Sequence, residues 1–433
     1  MILVLLYLAT IIISFYKFKS KIIPYIPLFV TLVEILPFYF NIQNNEIILL
    51  KYLNTISVFA VFMIYIYKNL SVFFKITTLK IIVVFILLMF YAISNSTDQY
   101  FSLKIVMNFA TVLLSFPVGF IYFKKEQTEI KTFFNILLIC LVLYIVNIVL
   151  CSFLKLGEST LSYSDQSIVY LGALNFFSLY PICYLLIACL LYFSKIKKSK
   201  VFIFFVTLIV FLIFFYIGKR TYIYLSLFGF LALFYNSRKV FINFSALVLL
   251  LIFLIPSISQ TITNQFFTAR SSQLDRSITE EGRYLELIAY KDEVLNIGST
   301  NEIIFGKEIF NSQAKFFQNS NIIDDDNRVL HSDFSNILFG TGILGFLIYL
   351  TIQLSLILNI RYIRKFKMNN PNYKLLHLVY ITVLIALIIN STSDGILAFP
   401  NRFFPYFILG ATLGMINHKT AKKPTLEKPD ESI

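Results

Sequence analysis

The chain has 433 residues, of which 58% are hydrophobic and only 14% charged, with 14 Gly, 11 Pro and 4 Cys. A soluble globular domain carries about a quarter charged residues, so that class is excluded, and the same figures exclude collagen-like, disordered and disulfide-rich secreted chains. The formal net charge of +14 suits nucleic acid or a membrane, and the placement of the charges along the chain decides for the membrane.

Apolar runs long enough to cross a bilayer core, about 20 residues each, are predicted at 2–16, 22–41, 47–67, 80–95, 101–123, 132–153, 168–193, 201–217, 221–236, 240–258, 335–359, 375–393 and 396–416. They describe an all-α, polytopic integral membrane protein with about 13 transmembrane helices. The first run is short but has no basic leader or small-residue cleavage site, so it is read as a retained helix. Cys140, Cys151, Cys183 and Cys189 all fall in apolar runs and are read as packing or lipid-facing residues.

Every second connection is basic. Lys17, Lys19 and Lys21 begin the pattern, followed by Lys68, Lys75 and Lys80, by Lys124, Lys125 and Lys131, and by Lys195, Lys197, Lys198 and Lys200. Arg238 and Lys239, then Arg361, Arg364, Lys365, Lys367 and Lys374, then Lys419, Lys422, Lys423 and Lys428 complete it, 24 of the 37 basic residues. Short cytoplasmic loops retain Lys and Arg, so the N-terminus is predicted outside and the C-terminus cytoplasmic, the parity that thirteen crossings require. Four regions follow: helices 1–10 within 1–258, an extracytoplasmic loop at 259–334, helices 11–13 within 335–416, and a cytoplasmic tail at 417–433.

On the outer side the chain carries few cations beyond the large loop. Lys51, Lys104 and Lys155 are read as snorkelling to lipid phosphate, and Glu34 is the one acid placed well inside a predicted span. Lys219 and Arg220 differ, because the tight turn FYIGKRTYIY needs no charge for topology and hydrocarbon makes one costly. A guanidinium at the mouth of a bundle is suited to bidentate capture of phosphate oxygens.

The large loop holds seven basic and twelve acidic residues and so carries no nucleic-acid footprint. Within it, Ser277 and Glu280 have capping-box spacing, and Tyr284, Leu287, Ile288, Val294 and Leu295 recur at helical intervals, predicting an amphipathic helix over 279–296. His331 ends the loop in RVLHSDFSNILFGTGILG. It is the only imidazole on the predicted outer face, since His377 is read as interfacial and His418 as part of the solvated tail. Asp324, Asp325 and Asp326 are read as a solvated acidic face without a spaced partner for a metal. Ser332 and Asp333 beside His331 do not make a hydrolase triad, because consecutive residues rarely form one and no nucleophile elbow precedes them.

In these residues the chain resembles the O-antigen ligase and polymerase superfamily of bacterial surface polysaccharide assembly. Three marks over about residues 205–350 carry the resemblance: Arg220 in GKRTYIYL, Arg283 in EEGRYLELIAY, and His331 with Ser332, nine further residues, then Gly342 and Gly345. Two departures stand out, Lys219 where a small residue is usual and tyrosines where tryptophan is common.

The resemblance implies a GT-C-like membrane fold without cofactor or metal, in a bacterial inner membrane, with the active site on the periplasmic face. Its partners would be undecaprenyl diphosphate-linked oligosaccharides as donor and acceptor, the bilayer, and a chain-length regulator. Arg220 and Arg283 would bind the diphosphate, and His331, with an ordinary imidazole pKa of about 6.5, would act as general base in one inverting displacement. Lys219, Arg402 and Asp394 are secondary candidates near the same face. A composition crowded with Phe, Ile, Asn, Lys and Tyr resembles repeat-unit polymerases, while ligation to lipid A core remains open on the same residues. A transporter or flippase for lipid-linked sugars is the alternative from another class, although no internal repeat is visible.

Overall fold

The computed structural model describes residues 19–39, 44–74, 76–125, 130–157, 159–161, 168–172, 174, 179–195, 200–217, 220–236, 238, 242, 245, 288, 290–296, 298–309, 332–364, 371–392 and 399–420. The protein is an all-α multi-pass membrane protein. Six of the described helices are long and apolar enough to cross a membrane, and shorter apolar helices pack among them.

A 3-10 turn over Lys19–Tyr25 leads into α1 (Ile26–Tyr39), followed by α2 (Asn44–Tyr67), α3 (Thr77–Ala92), α4 (Gln99–Lys125) and α5 (Ile130–Leu154). A small hairpin, β1 (Ser159–Leu161) and β2 (Ile168–Tyr170), then pairs antiparallel with Thr160 opposite Val169. After it come α6 (Tyr180–Phe193), α7 (Lys200–Ile217) and α8 (Arg220–Asn236). The large loop contributes a π-helical turn at Lys291–Asn296 and α9 (Thr300–Phe305). The chain closes with α10 (Asp333–Arg364), α11 (Pro371–Ser391) and α12 (Phe399–Thr420).

α4 is the central post, with 89% of its apolar window buried, whereas α10 stands at the rim with 28%. α4 runs parallel to α12 at close backbone range. A Cβ on Gly410 would collide with the Phe116 carbonyl, and one on Gly414 would stand 2.5 Å from the Phe120 carbonyl oxygen. Two glycines one turn apart are the small-residue pattern that lets membrane helices touch backbone to backbone, where dispersion and not water drives association.

Several expectations are corrected. The run 168–193 is not one span: residues 168–170 form β2, and the helix starts only at Tyr180, where Pro181 occupies its first turn. Proline fits that position because the first-turn N–H groups have no intrahelical partner, while the β-branched Ile168 and Val169 suit the hairpin. Lys51 does not snorkel, because its ammonium pairs with Glu34 at 2.7 Å. Lys104 lies over the Tyr52 ring, 3.8 Å from its centroid, a cation–π contact that partly replaces lost water. His377, in the second turn of α11 near the lysine end, is buried within the helix packing. All four cysteines are buried and free, which selects packing over lipid exposure. Of the helix predicted at 279–296, the described residues include the π-helical turn, and Ser277 and Glu280 lie outside them. A capping box of the same form is present one helix later, where Ser299 and Glu302 cap α9 reciprocally.

The two ends of the bundle differ in chemistry. Lys124 and Lys125 end α4, Lys195 follows α6, and Lys374 opens α11, so these cations share one end. Partial burial and the nearby Lys374 lower the Lys195 ammonium below its ordinary pKa. The starts of α4, α6, α8, α10 and α12 and the finish of α11 gather at the other end, together with α9.

Candidate functional site

The beginning of α10 is fixed by its own sequence. Ser332 is its N-cap: the Ser332 hydroxyl accepts the Ser335 amide at 2.9 Å, and the Ser332 carbonyl accepts the Asn336 side-chain amide at 2.9 Å. Hydroxyl capping of this kind satisfies a first-turn N–H that the helix cannot. The small polar residue after the predicted histidine is therefore a helix signal, and residue 331 is the last one before the cap.

Asp333, the first helical residue, turns inward to Arg402 on α12. Both Nε and Nη2 of Arg402 stand 2.7 Å from Asp333 Oδ2, with the two side chains 0% and 1% exposed. Nη2 also donates to the Asn390 carbonyl at the end of α11, at 3.2 Å. The Asn390 side-chain amide donates in turn to the Tyr184 hydroxyl on α6, at 2.8 Å. Tyr349 and Tyr406 stand near the pair, and Gln353 donates to the Tyr406 hydroxyl at 3.0 Å. An unpaired charge here would be severely penalised, and this network is the compensation.

From Tyr184 the contacts continue to the start of α8. One turn before Tyr184, Tyr180 meets Tyr222 edge to face with centroids 4.7 Å apart, and the Cys183 thiol donates to the Tyr222 carbonyl at 3.8 Å. Tyr222 is two residues beyond Arg220, which is the first residue of α8. α7 ends at Ile217 and α8 begins at Arg220, so two residues separate the two helices. A continuous buried path thus runs from the Arg220 end of α8, through α6, α11 and α12, to the capped start of α10.

The loop docks on the same helix. α10 contains a kink at Gly342, with φ 64° and ψ −171°, a backbone conformation open only to glycine. Into the kink fits the turn that ends α9: a Cβ on Gly342 would strike the Ile304 carbonyl group and stand 2.6 Å from the Gly306 nitrogen. Beside it the Lys307 amide donates to the Phe339 carbonyl at 3.1 Å. Tyr290, Val294 and Phe339 form a small apolar cluster under this contact, and burial pushes the Tyr290 hydroxyl above its ordinary pKa. Glu308, buried, accepts the Thr97 amide with both oxygens at 3.0 and 3.1 Å, and the Ile309 amide donates to Ser96 at 3.1 Å. The glycine motif that follows the histidine in the sequence is therefore a docking notch for the loop.

Of the predicted site residues, Arg220 has a described backbone position and Arg402 a described side chain. Arg283, His331, Lys219, Asp394 and the run Asp324 to Asp326 lie outside the described residues. Arg402 is committed to Asp333 and Asn390 within the bundle. Sequence reasoning missed Asp333, Glu308, Tyr184 and Asn390 as members of the polar network. An acid just ahead of the span predicted at 335–359 was the signal available for Asp333, whereas Glu308, Tyr184 and Asn390 carry none. Compared with protein-family models the chain finds no match, and no curated protein matches it.

Proposed function

We propose that the protein is a GT-C-like polymerase of polysaccharide repeat units, an O-antigen polymerase type of glycosyltransferase. In this reading thirteen spans cross the bacterial inner membrane, with the N-terminus and the site on the periplasmic face and the C-terminus in the cytoplasm. Support for a tenth span comes from the described elements: α8 finishes at the lysine end, whereas Tyr290 and α9 lie at the opposite end.

The donor is a glycan on undecaprenyl diphosphate. A hydroxyl oxygen of the acceptor, the sugar of another lipid-linked unit, attacks the anomeric carbon. Its proton passes to His331, and the anomeric carbon–oxygen bond breaks with its electron pair leaving on the diphosphate. One displacement inverts the anomeric centre. Arg220 and Arg283 bind the diphosphate and stabilise the charge it gains as it leaves. Arg220 opens α8, so the unpaired amides of that helix start add to the positive potential.

The observation that carries this reading is the buried path joining the Arg220 end of α8 to the N-cap that directly follows His331. In the sequence, two of the three residues implicated by the resemblance stand at the ends of that path, Arg220 as the first residue of α8 and His331 directly before the α10 cap. Purified protein supplied only with lipid-linked repeat units should produce a ladder of polymer. A preparation silent until lipid A core is added would be a ligase instead, and one that moves the lipid-linked sugar across vesicles without elongating it would be a flippase.

A further inference from the structure

Arg402 and Asp333 take no part in the chemistry just proposed, yet they are the most deeply buried ion pair among the described residues. Burial of such a pair is poor evidence for stability, because well-packed apolar side chains of similar volume often serve as well or better. What the pair supplies beyond cohesion is direction. The guanidinium approaches Asp333 through two nitrogens and the Asn390 carbonyl through one of them, so the first turn of α10 is tied at fixed orientation to α12 and α11. Asn390 carries the tie to Tyr184 on α6, whose first turn packs on Tyr222 of α8. Asp333 follows the Ser332 cap directly and His331 by two residues, so the backbone that carries the imidazole is attached to this anchor through a single residue.

We propose that Arg402 and Asp333 are a positioning pair, setting the His331 end of α10 against the Arg220 end of α8 without touching substrate. The inference rests on the reading of His331 as general base. A displacement of about 1 Å in a reacting group can cost about 100-fold in rate, and the pair is the polar tie of the α10 start to α11 and α12.

The test compares wild type, His331→Ala, Arg402→Lys and the double variant Arg402→Met with Asp333→Leu, each purified and supplied with lipid-linked repeat units. The double variant removes both charges together, leaving none uncompensated, so it is expected to elute as a folded, monodisperse protein. Its kcat should fall about 10- to 100-fold with KM for the lipid-linked donor within about twofold, because the donor contacts are intact. Arg402→Lys keeps the charge but not the two-nitrogen geometry, and its kcat should lie between the two. A folded double variant with wild-type kcat overturns the proposal, as does a rise in KM at constant kcat, which would make Arg402 or Asp333 a donor contact. If the double variant does not fold, Arg402→Lys decides: wild-type kcat overturns the proposal, and a lowered kcat at constant KM upholds it. If wild type and His331→Ala are indistinguishable, the reading of His331 fails and this inference falls with it. That outcome is read with Arg402 and Asp333 intact, so the two failures are separable.

Discussion

Replacing Gly342 by alanine should detach the large loop from the bundle while leaving the bundle folded. The φ of 64° with ψ of −171° lies where a side chain costs about 1–3 kcal/mol. The new methyl also meets the Ile304 carbonyl group and the Gly306 nitrogen, which are backbone atoms unable to swing aside, and such overpacking costs about 1–3 kcal/mol. Against this stand the hydrogen bonds of Glu308 with Thr97 and of Ile309 with Ser96, and a small apolar cluster, Tyr290 and Val294 against Phe339. At about 1.5–3 kcal/mol for each buried side chain, its gross contribution is of the same order as the penalty before the entropy of ordering the segment is subtracted. The Gly410 and Gly414 contacts of α12 with α4 lie outside the notch, although the loop meets the start of α4 where Ser102 donates to the Ile309 carbonyl at 3.2 Å. Hydrogen exchange read by mass spectrometry in detergent isolates the effect, because the Lys307 amide is bonded to another helix at Phe339 and reports docking directly. A docking loss of about 3 kcal/mol accelerates its exchange about 150-fold, while α4 amides remain protected. Unchanged protection at Lys307 and Ile309 would refute the notch, and equal loss throughout α4 would refute its independence from the core.

Other outcomes follow from the same geometry. His331→Ala should lower polymer synthesis about 100- to 10,000-fold at unchanged abundance, measured on a polymer gel beside a blot, and normal polymer would remove the catalytic reading. Arg220→Ala should lose synthesis while Arg220→Lys retains part of it, since charge survives but two-pronged phosphate contact does not; equal activity in both variants would count against a diphosphate role. Gly414→Leu, placed against the Phe120 carbonyl, should lower the thermal midpoint of the detergent-solubilised protein, with the loss concentrated in the α4–α12 contact. Lys51→Met should destabilise more than the pair of changes Lys51→Met and Glu34→Leu, because the single change leaves the buried Glu34 carboxylate without its 2.7 Å partner.

Most of the helix boundaries were legible because the hydrophobic run is the physical cause of the span: 101–123 appears as Gln99–Lys125 and 132–153 as Ile130–Leu154. Where cause and signal part, sequence reading fails. Ile168, Val169 and Tyr170 are as apolar as helix residues, and hydropathy does not distinguish a strand from a span. The capping box at Ser299 and Glu302 carries the same letters at the same spacing as Ser277 and Glu280, and sequence reading passed over it. GATLG at 410–414 was a readable small-residue motif that an inventory of charges passed over. The Arg402–Asp333 pair joins residues 69 apart and follows no periodicity, so only packing reveals it.

That pair also bears on the chain position of the candidate histidine, which directly precedes the Ser332 cap in the sequence. The chain departs from α10 at Lys307, hydrogen-bonded to Phe339, and Ser332 begins the same helix seven residues earlier, about 10 Å away along the axis. Both ends of the intervening segment are therefore referred to one rigid element. The incoming end is fastened further by Glu308 on Thr97, and the outgoing end by Asp333 on Arg402. In the proposed function a base one position outside a capped helix would combine the accessibility of a loop with the placement of the bundle, as a bulky lipid-linked acceptor requires. Had the histidine been placed inside α10, its ring would compete with helix packing. Placed mid-loop, it would stand farther along the chain from the Asp333–Arg402 anchor.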